Sequence, residues 1–137
     1  AKVWGYLCLV ALLGGRVAEA EQALGTAFRV QLTDASLLAE LGKLFLEAGK
    51  WKHAEGSLRR AAKNGGGGGG ADVRLALGRA LREQNHLEGT KTEFRAAADG
   101  GGDKTLTKEA LEALAAVCGE LGEDDEAAAC RQQLAGL

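Results

Sequence analysis

The sequence predicts an all-α fold, a right-handed helical-repeat solenoid of about four helix pairs. The 137 residues contain neither Pro nor Ile, and outside the glycine runs they are mainly Ala, Leu, Glu, Lys, Arg and Gln. These residues lose the least free energy on entering a helix. The alternation of β-branched or aromatic with polar residues that marks strands is nearly absent. Apolar positions also return after 34 residues, from Trp4 to Leu38, and a fixed period of this length is typical of stacked helix pairs.

The period can be followed through the whole chain. The first repeat carries Trp4, Leu7, Ala11, Gly15, Val17, Ala20, Leu24 and Ala27. Thirty-four residues later the same classes return as Leu38, Leu41, Phe45, Gly49, Trp51, Ala54, Leu58 and Ala61. After 36 more residues the pattern is kept by Leu77, Leu81, Leu87, Phe94 and Ala97, whereas the departures are Arg74, Asn85 and Thr90. The fourth repeat is weaker and consists of Leu111, Leu114, Cys118, Gly122, Ala127 and Leu134.

Each repeat is therefore predicted to be two amphipathic helices joined by a short turn. Gly15 and Gly49 lie where a first helix must end, because Gly adopts the left-handed conformation without side-chain strain. Asn85 is the next best residue for that conformation in the third repeat. Helices are predicted near 2–14, 17–31, 35–48, 51–63, 71–84, 87–99, 105–121 and 124–136. The repeats cover about 1–34, 35–68, 71–104 and 105–137, in one domain over 1–137 that we expect to be a fragment of a longer protein.

The glycine run KNGGGGGGADV at 63–73 could hold a phosphate, link two domains or form a turn. A phosphate loop needs a preceding strand and a following G-K-[ST], whereas here a helical segment precedes and Ala71-Asp72 follows. The repeat spacing increases only from 34 to 36 residues across the run, which leaves no room for a linker. We interpret it, and DGGGD at 99–103, as mobile turns on one rim of the solenoid.

Composition narrows the classes of partner and compartment. The net charge of −2 and the pI near 5.7 disfavour nucleic acid, whose binding proteins are usually basic. Cys8, Cys118 and Cys130 lack C-x-x-C spacing, which favours a reducing cytoplasmic compartment and inert core thiols. The apolar start VWGYLCLVALLGG is too short to cross a bilayer, so it is predicted to be a packed helix and no membrane association is expected.

No arrangement of residues indicates catalysis. His53 and His86 have no Cys or carboxylate at metal-ligand spacing, and Ser36 and Ser57 have no matching base in the sequence pattern. The acidic EDDE at 123–126 is explained by the favourable interaction of carboxylates with a helix N-terminus. We expect no enzyme activity, no catalytic residue, no metal, no cofactor and no small-molecule substrate.

The segments LLAELGKLFLEAGKWKHAEGSLRRA and KVWGYLCLVALLGGRVAEAEQALGTA resemble the tetratricopeptide repeat family over nearly the whole chain. That resemblance implies a protein-binding solenoid whose first helices line a concave groove. The family usually has Pro between repeats, where this chain has Leu32, Gly66 and Gly102, so looser turns are expected. The carboxylate clamp of chaperone-tail-binding members is absent, since Gly5, Leu9, Asp72 and Ala76 stand at its positions. No binding of EEVD-type tails is therefore expected.

Two surfaces are candidates for the partner. The predicted concave groove consists of Leu9, Leu12, Leu13, Lys43, Leu46, Leu75, Arg79 and Arg82. The exposed leucines of the first helix would need cover from a partner or from a preceding repeat. A second, basic surface consists of Lys50, Lys52, Arg59, Arg60 and Lys63. It is either a solvated helix face or a docking surface for an acidic protein such as tubulin.

The VWGYL and EAEQA segments also resemble the C-terminal repeat region of axonemal proteins of the cilia- and flagella-associated group. The Ala- and Gly-rich composition is similar to that of green-algal sequences. This resemblance implies a structural scaffold of the cilium or flagellum, at the central apparatus or near the outer dynein arms, with axonemal proteins as partners. The alternatives are a cytosolic adaptor outside cilia, an RNA-binding helical-repeat protein, and the non-catalytic arm of an enzyme.

Overall fold

A computed structural model describes residues 2–65, 70–100 and 103–137, and every regular element in these ranges is an α-helix. The elements are α1 (Lys2–Leu13), α2 (Val17–Arg29), α3 (Ala35–Glu47), α4 (Trp51–Asn64), α5 (Ala71–Glu83), α6 (Leu87–Asp99), α7 (Lys104–Glu120) and α8 (Asp124–Ala135). All predicted bounds agree with these to within two residues. The prediction of an all-α fold built from successive helix pairs is confirmed.

The chain forms two compact units, Ala1–Gly69 and Gly70–Leu137. In the first unit α1 packs on α2, α3 packs on α4, and α1 also contacts α3. In the second unit each helix from α5 to α8 packs on the next, and α5 also contacts α7. Within each unit, successive helix pairs therefore pack as they do in helical-repeat proteins. A single domain over 1–137 stays a prediction.

The turn inside each helix pair has the same hydrogen bonding in all four pairs. Gly15, Gly49 and Gly122 have φ between 76° and 78°, and Asn85 has φ 66° at the equivalent place. The following N–H donates to a carbonyl five residues back, which is the 6→1 bond of a Schellman motif. The bonds are Arg16 to Ala11 at 2.8 Å, Lys50 to Phe45 at 2.9 Å, His86 to Leu81 at 2.9 Å and Glu123 to Cys118 at 2.8 Å. The prediction for the glycines and for Asn85 is confirmed.

The other two departures from the repeat pattern are satisfied locally. Thr90 is fully buried at the position where other pairs have Ala, and its hydroxyl donates to the His86 carbonyl at 2.9 Å. Arg74 replaces a large apolar residue on α5, and its Nη1 lies 3.0 Å from the Glu93 carboxylate on α6. Both polar groups therefore avoid the cost of burial without a partner.

The expectation of a loose turn between α2 and α3 is not met. Leu32 was predicted to loosen it, but this side chain is buried and its N–H donates to the Ala27 carbonyl at 2.9 Å. Leu32 packs toward Gly5 of α1, so an apolar anchor holds the turn where Pro is usual. Gly66 and Gly102, with the rest of 66–69 and 101–102, lie outside the described residues.

Candidate functional site

The groove residues predicted on the first unit are only partly available. Leu9 and Leu12 of α1 are half-buried, and Leu13 is exposed. Lys43 and Leu46 of α3 are also half-buried. On this unit the candidate groove is therefore mainly apolar, with exposure concentrated at the end of α1.

On the second unit the predicted groove is charged, and its arginines form ion pairs with glutamates of the same unit. Leu75 is only 3% exposed and belongs to the core formed with α6 and α7, so its side chain offers almost no surface. Arg79 lies 3.6 Å from the Glu109 carboxylate, and Arg82 contacts Glu120. Both carboxylates come from α7. A partner on this surface would have to compete with existing ion pairs for both arginines.

The first helix exposes more apolar surface than the repeat pattern predicted. Trp4 and Leu7 are 40% and 50% exposed, whereas their repeat equivalents Leu38 and Leu41 are fully buried. Val3, Tyr6, Val10 and Leu13 are exposed as well. Trp4, Leu7 and Val10, together with parts of α2, line a surface pocket of about 360 Å³. The apolar signal was visible in the sequence, but only the packing decides which side of α1 is covered.

The five residues of the basic surface fall into two groups. Lys50 lies 3.3 Å from the Glu21 carboxylate on α2, and Lys52 is exposed near the start of α4. Arg59, Arg60 and Lys63, near the end of α4, line a surface pocket of about 570 Å³. We call this the basic pocket. Its full lining in the described part of the chain is Gln31, Leu32, Thr33, Gly56, Arg59, Arg60, Lys63 and Asn64.

Both arginines of the basic pocket are held in place by neighbours. The Arg59 Nε donates to the Glu55 carboxylate at 2.9 Å, one turn earlier on α4. The Arg60 guanidinium lies over the Phe28 ring of α2, 3.9 Å from its centroid, which is a favourable cation–π distance. Sequence analysis found the three cations but missed Phe28, Gln31 and Thr33, because these residues belong to the preceding repeat.

One group of possible metal ligands exists among the described residues. The ligand atoms of Cys118, Glu123 and Glu126 lie within 4.8 Å of one another. However, Lys91 of α6 contacts Glu123, and its Nζ lies 3.0 Å from Glu126 Oε1. Hydrogen bonds from Lys91 lower the pKa of Glu126, and those from Lys91 to Glu123 and Glu126 raise the pKa of Lys91. The Lys91 ammonium group already supplies the positive charge that these carboxylates require.

The cysteines and His53 are explained by packing, whereas the buried Ser57 hydroxyl has no hydrogen-bond partner among the described residues. All three cysteines are buried and free. Burial raises the pKa of Cys8 to about 11, and burial also raises the pKa of Cys118. The His53 ring stacks on Phe45 with centroids 5.4 Å apart. The prediction of unreactive core thiols is supported by this burial, since the thiolate is the reactive form.

In the described residues no helix has the length and apolar character needed to cross a membrane. No curated protein sequence matches the chain. A family model does match, namely the C-terminal domain of cilia and flagella-associated protein 70, over residues 1–130. The match covers seven of the eight helices completely and most of α8. The chain therefore belongs to the family of the C-terminal tetratricopeptide-repeat domain of cilia and flagella-associated protein 70.

Proposed function

We infer that this chain is a non-catalytic protein-binding scaffold of the ciliary or flagellar axoneme, at the central apparatus or in the outer dynein arm region. The observation that carries this proposal is the family match over residues 1–130. Helix pairs of this kind bind other proteins through extended surfaces rather than through an enclosed pocket. Axonemal proteins are accordingly the proposed partners.

The chemistry of the side chains supports a binding role rather than catalysis. The thiols are buried, and the Glu123 and Glu126 carboxylates are paired with Lys91. The accessible features are the apolar face of α1, the predicted groove and the basic surface on α4. Since the chain carries a net charge of −2, an RNA ligand is disfavoured.

The proposal is tested by expressing the tagged full-length protein in a ciliated cell and extracting isolated cilia with detergent. An axonemal scaffold is retained in the demembranated axoneme, and proximity labelling there identifies its neighbours. A diffuse pool that is fully extracted contradicts the proposal and favours a cytosolic adaptor outside cilia.

The expected lack of affinity for chaperone tails is tested separately. A labelled peptide ending in EEVD is titrated with the purified domain, and its fluorescence anisotropy is expected to stay unchanged. Micromolar binding would show that the missing carboxylate clamp is replaced by other residues.

A further inference from the structure

We propose that the basic pocket binds an acidic segment of a partner protein, with side-chain carboxylates on Arg59, Arg60 and Lys63. This inference rests on the proposed function as a protein-binding scaffold and identifies one of its surfaces. It also divides the basic surface, because Lys50 and Lys52 do not line the pocket.

The first argument is the concentration of charge. Arg59, Arg60 and Lys63 line one pocket, and no carboxylate side chain is part of its described lining. Arg59 and Lys63 are like charges four residues apart on α4, a spacing that is unfavourable for a helix by itself. Arg59 is paired with Glu55, whereas no ion pair of Lys63 is found within the described residues. An anionic partner would relieve this repulsion.

The second argument is preorganisation of the two guanidinium groups. Arg59 uses its Nε–H for Glu55, which leaves the four N–H groups of its terminal nitrogens. The Arg60 guanidinium group is held over the Phe28 ring, and a guanidinium group has five N–H donors for a carboxylate. Because these side chains are already positioned, less conformational entropy is lost when they form paired hydrogen bonds to carboxylates.

The third argument is the polar and open character of the rest of the pocket. Gln31 and Thr33 add an amide and a hydroxyl group to its lining, which can bond the backbone of a bound peptide. The Asn64 side-chain N–H already donates to the Arg60 carbonyl at 2.8 Å, so Asn64 offers mainly its amide oxygen. Gly56 has no side chain, and a Cβ atom there would lie 3.6 Å from the Phe28 ring. The lining is therefore free of a side chain at this point of α4.

The same features favour a protein segment over other polyanions. Proteins that bind single-stranded nucleic acid stack bases on accessible aromatic rings, but here Arg60 covers one face of Phe28. A lipid surface would need a broad basic face. In this unit Lys50, outside the pocket, is instead paired with Glu21. Short acidic segments fit a compact site with three cations.

The test measures the binding of a fluorescein-labelled peptide of ten glutamates to the purified chain by anisotropy at low salt. We expect saturable binding that weakens with added salt. Lys63→Glu and Arg60→Glu are each expected to weaken it about tenfold, since a charged hydrogen-bonding contact is lost and reversed. Lys63→Glu is the cleaner variant because the cation–π contact with Phe28 is made by Arg60. Circular dichroism melting of both variants verifies that the unit remains folded.

Lys52→Glu is the matched control, because it makes the same charge change on the same helix outside the pocket. It should weaken binding less than twofold, as expected for a distant screened charge. Equal weakening of peptide binding by Lys52→Glu and Lys63→Glu would contradict the assignment of the binding site to the pocket. It would show that the peptide responds only to the overall charge of the helix. Absence of peptide binding would also contradict the assignment, as would tighter pocket-dependent binding of a ten-nucleotide RNA or phosphatidylserine vesicles.

The outcome is separable from that of the proposed function. If peptide binding fails while the protein stays in the extracted axoneme, the pocket assignment is wrong and the scaffold role stands. If the pocket binds the peptide but the protein is fully extracted, the axonemal role is wrong and the pocket stands.

Discussion

Gly42 on α3 lies so close to Leu58 on α4 that a Cβ atom at position 42 would be 2.5 Å from the Leu58 Cγ. The same contact recurs 36 residues later, where a Cβ atom at Gly78 would be 2.5 Å from the Phe94 Cε1. The close crossing inside each of these helix pairs therefore depends on a missing side chain rather than on backbone flexibility. Leu58 and Phe94 are almost fully buried at these crossings.

We expect Gly42→Ala to destabilise the protein although Ala is the better helix former. Overpacking costs about 1–3 kcal/mol, whereas replacing Gly by Ala in a helix contributes up to about 1 kcal/mol. Gly25→Ala is the control, since that glycine is exposed on α2 and has nothing within 4 Å of an added Cβ atom. It should stabilise by about 0.5–1 kcal/mol. Urea unfolding measures both changes, and a higher unfolding free energy for Gly42→Ala would contradict the contact.

The ion pair between Arg74 and Glu93 should contribute to the stability of the protein, because both side chains are partly buried. The side chains are 29% and 11% exposed. Glu93→Ala should cost about 1–3 kcal/mol, because Arg74 is left partly buried and unpaired. Arg74→Leu with Glu93→Ser, the residues present 36 positions earlier at Leu38 and Ser57, should cost less than Glu93→Ala. A double-mutant cycle made of Arg74→Leu, Glu93→Ser and their double variant, measured by urea unfolding, tests the coupling, and additive costs would show that the two residues are independent.

Two ion pairs at equivalent repeat positions have opposite polarity. Glu21 pairs with Lys50 in the first unit, and Lys91 pairs with Glu123 in the second. Lys91→Glu alone should lower the melting temperature, because it adds a carboxylate beside Glu123 and Glu126. Adding Glu123→Lys should restore part of the loss, since it reproduces the polarity of the first unit. Melting at low and high salt measures the effect, and no recovery in the double variant would disprove the equivalence.

The carboxylate at the N-terminus of α3 should make the stability of the protein depend on pH in the acidic range. The Leu37 N–H donates to Asp34 Oδ1 at 3.1 Å, and Lys2 lies 3.4 Å from the same carboxylate. The hydrogen bond from Leu37, followed by Lys2, lowers the pKa of Asp34 from its ordinary value of 3.8. This contribution is present above pH 3.8 and is lost as pH falls through the lowered folded-state pKa. Asp34→Ala should melt at a lower temperature at neutral pH, and its difference from the parent should shrink in acid. A constant difference would contradict the assignment.

Cys8 should resist alkylation in the folded chain. Its thiol is fully buried, donates to the Ala20 carbonyl at 3.3 Å, and has its pKa raised to about 11 by burial. At pH 8 the thiolate fraction of Cys8 is therefore very small. Iodoacetamide followed by peptide mass spectrometry should label Cys8 slowly until urea is added. The raised pKa also means that stability falls as pH rises from 9.0 toward 11. Rapid labelling in native buffer would disprove the burial.

Much of the fold could be read from the sequence because its signals are local. The helix bounds follow from 3.6-residue periodicity, and the left-handed turns follow from Gly and Asn. The role of Leu32 could not be predicted in this way, since its value as an anchor depends on the neighbouring Gly5 of α1. For the basic pocket, the sequence predicted the cations but not the residues around them. Arg59, Arg60 and Lys63 are visible as a basic run, but Phe28 beneath Arg60 is more than 30 residues away.

By itself the sequence determined the all-α repeat architecture, the position of every described helix, and the basic character of the end of α4. These properties depend on residues within one or two helical turns of each other. Only the tertiary structure decided which charges meet and which apolar residues remain exposed. It pairs Arg79 with Glu109 and Lys91 with Glu126, and it leaves Trp4 uncovered. Such contacts join residues that are distant in sequence, so they depend on how helices pack rather than on the pattern of either helix.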